Sequence, residues 1–157
     1  MDKLLKLLDT NARLSNAELA VMAGMTEDAV AAQIAAWEKN GVIRAYKALV
    51  DWDRTDREYV TAIIELRVTP KRDAGFEAIA ETIASWDEVE SIYLMSGGYD
   101  FSIVVTGRTF KEVAMFVANR LSTLDSVVST ATHFVLRRYK EKNVLYAVEK
   151  KDEREGF

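Results

Sequence analysis

The stretch SNAELAVMAGMTEDAVAAQIAAWEKNGVI, residues 15–43, decides how the first third of the chain folds. It opens on Ser15-Asn16-Ala17-Glu18, a capping box in which a Ser hydroxyl and a Glu three residues on satisfy amides left unpaired at a helix start. Leu19, Ala20 and Ala23 form the buried side of that helix, Gly24 supplies a tight turn, and Thr26 caps the next helix. Val30, Ile34 and Trp37 fall on one face of it at i, i+4 and i+7, and Asn40-Gly41 stops it. Upstream, Leu4, Leu5 and Leu8 give an earlier helix one apolar face. Downstream, Val42-Ile43-Arg44-Ala45-Tyr46 is expected to be extended, as a wing or a linking strand. Helix, capped helix, turn, helix, extended segment is the order of a winged helix-turn-helix, here over residues 1–50.

The segment 51–59 is polar and highly charged around Trp52 and reads as a linker. Beyond it the hydrophobic period changes. Val60–Val68 is a strand that Pro70 ends; Phe76, Ile79, Ala80 and Ile83 mark a helix; Val89–Met95 and Phe101–Thr106 are strands joined by Ser96-Gly97-Gly98-Tyr99-Asp100. Phe110, Val113, Phe116, Val117 and Leu121 mark a second helix, and Val127–Tyr139 a long last strand. The order β-α-β-β-α-β over residues 60–140 is a ferredoxin-like split βαβ, so the fold class is α+β. Residues 141–157 read as a tail, with an apolar patch at Val144–Val148 and then a mixed-charge, solvated run.

Composition closes off several functions. With no Cys and His133 as the only histidine, neither a disulfide framework nor a thiolate or multi-histidine metal site is expected. No paired acid–base constellation suggests a catalytic residue, and no cofactor is implied. No apolar run is long enough to span a membrane, and no uninterrupted apolar stretch follows Met1-Asp2-Lys3, so a cytoplasmic location is expected. The 21 Lys and Arg against 25 Asp and Glu leave a net charge of −4, spread evenly. Lys and Arg supply most non-specific DNA affinity, so a DNA-binding unit here has to gather few cations on one face.

The whole pattern resembles the Lrp/AsnC (feast/famine) transcriptional regulators. Three stretches carry the resemblance, which covers roughly residues 2–140. Asn11–Ala20 resembles the family's opening helices, Gly41–Tyr46 its wing, and Ser96–Phe101 its effector-domain turn with a Gly-x-x-Asp motif. The resemblance implies a homodimer built by sheet-to-sheet packing and assembly into larger rings. It also implies a small effector, an amino acid or a related molecule, bound where dimers meet.

The reading helix departs from the family pattern. Where relatives carry basic residues this chain has Ala32, Gln33 and Ala36, and Glu27 and Asp28 open the helix. Those two acids favour the helix dipole and repel phosphates. Gln33 is suited to a bidentate contact with adenine, while Arg13, Lys39, Arg44 and Lys47 are candidates for the backbone. For the effector the candidates are Ser96, Gly97, Gly98, Tyr99 and Asp100. Backbone amides of the turn would hold a carboxylate, and Asp100 would face an ammonium group. Taken without the resemblance, the same turn is simply a hairpin connection. Thr130 and Thr132 share a face of the last strand and are further effector candidates, although such hydroxyls usually pair across a sheet. His133 lies on the opposite face as an ordinary strand residue. Trp37, Trp86, Met95 and Met115 are expected in the core, Met22 and Met25 beside the turn, and Arg137-Arg138-Tyr139-Lys140 in ion pairs.

Three functions compete. The first is a sequence-specific, DNA-binding transcriptional regulator coupled to a small effector, with double-stranded DNA, an amino acid and copies of itself as partners. The second is an oligomeric small-molecule sensor whose winged helix reads DNA weakly or not at all, which the acidic reading helix supports. The third is an enzyme of the kind that resembles this family and decarboxylates tetrapyrroles. One His and no Cys argue against the third.

Overall fold

The chain divides into two compact units, Met1–Val50 and Asp51–Phe157. The computed structural model describes residues 2–69 and 75–146. The first unit holds α1 (Asp2–Thr10), α2 (Asn16–Ala23) and α3 (Glu27–Lys39). Both halves of the capping box close on α2: Ser15 Oγ accepts from the Glu18 amide at 3.2 Å, and the Ser15 amide donates to Glu18 Oε2 at 2.8 Å. These bonds favour the ionised form and hold the Glu18 carboxyl below its usual pKa. Gly24 adopts φ 70°, and the Met25 amide reaches back to the Ala20 carbonyl at 3.0 Å. Thr26 then caps α3 by accepting from the Ala29 amide at 3.3 Å. Leu4, Leu8, Leu19, Ala20, Val30 and Trp37 form the core, with Ile34 and Ile43 packed against it.

Residues 42 and 43 form a bend and 44–46 carry no regular structure, so the extended wing expected there does not form a strand. The segment is pinned to α3 instead. Amides of Val42 and Ile43 donate to the Trp37 carbonyl at 2.8 and 3.2 Å, and the Tyr46 hydroxyl donates to Glu38 at 2.8 Å.

The second unit opens with a 3-10 turn, Trp52–Arg54, inside the segment expected as a linker. Arg57 lies over Trp52 at 4.7 Å and over Tyr59 at 5.7 Å, so this stretch has local structure of its own. Then follow β1 (Val60–Val68), α4 (Glu77–Ala84), β2 (Val89–Leu94), β3 (Phe101–Gly107), α5 (Phe110–Phe116) and β4 (Val127–Phe134). The sheet order is β2-β3-β1-β4 and every pairing is antiparallel. Alternation along β1 and β3 sends Ala62, Ile64, Leu66, Val68, Phe101, Ile103 and Val105 to one face. Ile83 of α4, Val113 and Phe116 of α5, and Leu121 of the π-helical turn after α5 cover that face. The other face carries Ile63, Glu65 and Arg67 of β1 opposite Val104 and Ser102 of β3 and His133, Ala131 and Ser129 of β4.

Several expectations are corrected here. β4 ends at Phe134, not Tyr139: Ala62 pairs with Phe134, the Val135 amide takes the Thr61 carbonyl, and beyond that β1 runs out of residues. The chain instead forms a small hairpin, β5 (Lys140–Glu141) with β6 (Val144–Leu145), where a tail was expected. Its turn residues Lys142 and Asn143 have φ 45° and 66°, the positive values that two-residue hairpins require. Met95 and Met115 are not core: they are 40% and 47% exposed. Met95 lies past the last β2–β3 pair, and Met115 sits on the outer side of α5, two residues from Val113. Trp37 is buried and Trp86 packs edge-on to Phe116 at 5.6 Å. Pro70 and the charged run from Glu149 lie outside the described residues.

Candidate DNA interface and effector site

The sequence of the first unit places α3 after a capped helix and a tight turn, which is the geometry of a recognition helix. Its buried side is Val30 and Trp37, with Gln33, Ile34 and Ala36 half-buried. Glu27, Asp28, Ala29, Ala31, Ala32, Ala35, Glu38 and Lys39 are exposed. Gln33, the residue picked for base contact, thus lies nearer the packed side than the outward one. Arg13 is exposed in the turn before α2, its amide bonded to Asn11 Oδ1 at 3.0 Å. Arg44 folds its guanidinium over Gly41, close enough that a Cβ there would meet Cζ at 3.2 Å. Lys39 and Arg44 therefore belong to the same end of α3, and Lys47 is exposed a few residues on. Along α3 the carboxylates Glu27 and Asp28 stand at the start, and Glu38 and Lys39 at the end, where Arg44 also lies. The six cations of residues 1–50 (Lys3, Lys6, Arg13, Lys39, Arg44, Lys47) are matched by Asp2, Asp9, Glu18, Glu27, Asp28 and Glu38. The unit is neutral, so its DNA affinity depends on where those charges sit.

In the second unit the Gly turn joins β2 to β3. The Met95 amide donates to the Asp100 carbonyl at 2.8 Å and closes it. Gly97 has φ 138°, which only glycine adopts freely. Ser96, Gly97 and Gly98 are exposed, while Tyr99 and Asp100 are half-buried. Asp100 already has a structural duty. Its amide donates to the Leu66 carbonyl at 2.9 Å, and its Oδ2 accepts from the Val68 amide at 2.8 Å. The side chain supplies the acceptor that the backbone would have given had the turn continued the ladder. One carboxylate oxygen is thereby committed to β1.

Thr130 pairs with Leu66 and Thr132 with Ile64, both half-buried on the helix-covered face. Thr130 shares an end of the sheet with the Gly turn but lies across β1 from it, roughly 10 Å away at two strand spacings. Thr132 sits one pleat further along. Within one chain these residues do not close around a single ligand. Two cavities of about 250 Å³ each lie elsewhere. One is between Ala78, Ile79 and Thr82 of α4 and Leu124–Ser126. The other is among Tyr59, Thr61, Phe110, Arg137 and Arg138. Neither was singled out from the sequence, since each combines residues far apart in the chain with no shared motif. Arg138 pairs with Glu141 at 3.0 Å and leans on Tyr146. Burial lowers its pKa, but the Glu141 charge together with Tyr146 and Tyr59 outweighs that and the pKa ends above its usual value. His133 lies on the open face 3.4 Å from Glu65. Among the described residues no His/Cys/Asp/Glu group could hold a metal ion, and no helix is long and apolar enough to cross a membrane.

A helix-turn-helix joined to an α/β sandwich with a Gly-rich turn defines a DNA-binding protein with a ligand-binding domain. Residues 3–44 match the winged helix-turn-helix DNA-binding model, and residues 61–145 match the Lrp/AsnC ligand binding domain. The chain is 46% identical over 153 residues to YugG, an HTH-type transcriptional regulator of Bacillus subtilis, covering 97% of this chain and 92% of that one. It is 30% identical to the proline dehydrogenase transcriptional activator of Rhodobacter capsulatus, covering 90% and 91%. A Neisseria meningitidis transcriptional regulator solved with L-Met has the same fold, with TM-score 0.74 at 24% identity and coverage of 88% and 89%. The chain belongs to the Lrp/AsnC family of DNA-binding transcriptional regulators.

Proposed function

We propose that this regulator binds specific DNA sequences as a homodimer or larger assembly and that a small effector, an amino acid, changes that binding. The observation that carries the proposal is the Gly turn Ser96–Asp100. It offers two exposed glycines beside the Asp100 carboxylate, the chemistry of an amino acid's carboxylate and ammonium. Thr130 and Thr132 are too far away in the same chain to complete it, so a neighbouring copy would supply the remaining wall. The L-Met complex of the meningococcal protein supports an amino acid as the ligand class.

Self-assembly is supported by the open face of the sheet, where Ile63 is 40% exposed, with Val104 and Ala131 beside it. Among the described residues of the second unit, helices cover one face, and a second copy would cover the other. Pairing also offsets the neutral first unit, because two weakly binding winged helices held together gain from effective concentration. Arg13, Lys39, Arg44 and Lys47 are the phosphate contacts, with Gln33 a minor base contact.

The test is retention of genomic DNA fragments by the purified protein across a salt series. Four phosphate contacts per chain predict a log–log salt slope of roughly −7 for a dimer. No retention at low salt from folded, oligomeric protein would overturn the DNA half of the proposal and favour the sensor that the acidic start of α3 suggests.

A further inference from the structure

The exposed chemistry of α3 narrows which bases it selects. At about 100° per residue, Asp28, Ala32, Ala35 and Lys39 form one outward stripe, with Glu27, Ala29 and Ala31 exposed beside it. Before Lys39 the stripe presents carboxylates and methyl groups and no side-chain hydrogen-bond donor. Gln33, the one amide, is half-buried. In the major groove guanine shows only acceptors, cytosine an amino donor, adenine one of each, and thymine an acceptor beside its methyl group. A surface without donors gives guanine nothing to bind. It suits the cytosine amino group, which a carboxylate can accept from, and the thymine methyl, which packs on an apolar side chain.

Two features sharpen this. Asp28 and Glu27 repel phosphates, so seating them in a groove is tolerated only where an exocyclic amino group meets them; cytosine's is favoured over adenine's, whose neighbouring N7 acceptor repels a carboxylate, and the remaining bases are penalised. The alanines add no bulk, so base edges can approach the helix closely. Of the cations assigned to phosphates, Arg13, Arg44 and Lys47 lie off α3 and Lys39 is its last residue, which leaves the stripe before Lys39 for the bases.

We propose that α3 is a pyrimidine reader: Ala32 and Ala35 select thymine through its methyl group, and Asp28, with Glu27, selects cytosine through its amino group. This rests on the DNA-binding proposal above and adds the base class.

The test is selection from a pool of short random duplexes by the full chain at low salt, followed by resynthesis of an enriched duplex with uracil replacing single thymines. The expected half-site has a thymine- and cytosine-rich strand facing α3 and no guanine on it there. Uracil at the positions facing Ala32 and Ala35 weakens binding about four-fold each, the effect of one buried methyl group. Ala32→Arg shifts its position from thymine to guanine. A guanine-centred half-site, or uracil duplexes bound as tightly as thymine ones, would overturn the assignment while leaving DNA binding intact. No enrichment at all would overturn both.

Discussion

Replacing Asp100 separates the two duties that the Gly turn places on one carboxylate. In the structure Oδ2 accepts from the Val68 amide at 2.8 Å, and Val68 is buried at 8% exposure. Asp100→Ala removes the acceptor and leaves a buried N–H without a partner. A hydrogen bond to a charged group, together with that desolvation, is worth about 2 kcal/mol. The assay is amide hydrogen exchange at Val68 combined with urea unfolding of the second unit. Where exchange proceeds by local opening, about 2 kcal/mol corresponds to roughly thirty-fold faster exchange at Val68. Asp100→Asn keeps a neutral acceptor at the same place and is expected to cost about 1 kcal/mol or less. It also removes the negative charge proposed to face an ammonium group, so effector binding is expected to fall while the fold is retained. Unchanged Val68 exchange and an unchanged unfolding midpoint in Asp100→Ala would refute this account of the turn.

Four further outcomes are expected. Glu18 has a folded pKa held below its usual 4.5, so its contribution is present above that pH and is lost as pH falls through the folded value. The stability gap between wild type and Glu18→Gln should therefore be widest near neutrality and close under acid, read by circular dichroism of α1–α3. Leu19→Ala hollows the small core of the first unit at a cost of about 3 kcal/mol; DNA retention is lost while the second unit stays folded, as separate unfolding transitions would show. Arg120 lies 4.5 Å over Trp86 and 2.9 Å from Glu88, with both partly exposed, so Arg120→Ala should cost about 1 kcal/mol and alter Trp fluorescence. Ile63→Glu places a charge on the open sheet face, and sedimentation should then find monomer where wild type assembles.

The sequence made the helical unit legible because its signals are local. Ser15 and Glu18 sit at the spacing a capping box needs, Gly24 and Thr26 bracket the turn, and Val30 and Trp37 keep helical period. The βαββαβ order was readable from alternation in β1 and β3. What the sequence concealed depends on contacts distant along the chain. The end of β4 is set by where β1 begins, and nothing between Val127 and Tyr139 marks it. The β5–β6 hairpin turns on Lys142-Asn143, a weaker signal than Asn-Gly. Met95 and Met115 fit an apolar pattern but fall outside the faces that pack. The Ser96–Asp100 connection was readable as a turn, yet the bond from Val68 to Asp100 was not, because it joins positions 32 residues apart. The distance of Thr130 and Thr132 from that turn likewise follows only from strand order.

The most direct test of the central claim is the affinity of this protein for one retained DNA fragment, measured at fixed salt with each amino acid in turn. Assembly size should be followed in the same samples. Coupling of about 1–3 kcal/mol is typical of allosteric sites, so the account predicts that at least one amino acid shifts DNA affinity by about five-fold or more and changes the oligomer distribution with it. L-Met is the first to try. Unchanged affinity and unchanged assembly with every amino acid at saturating concentration would contradict it.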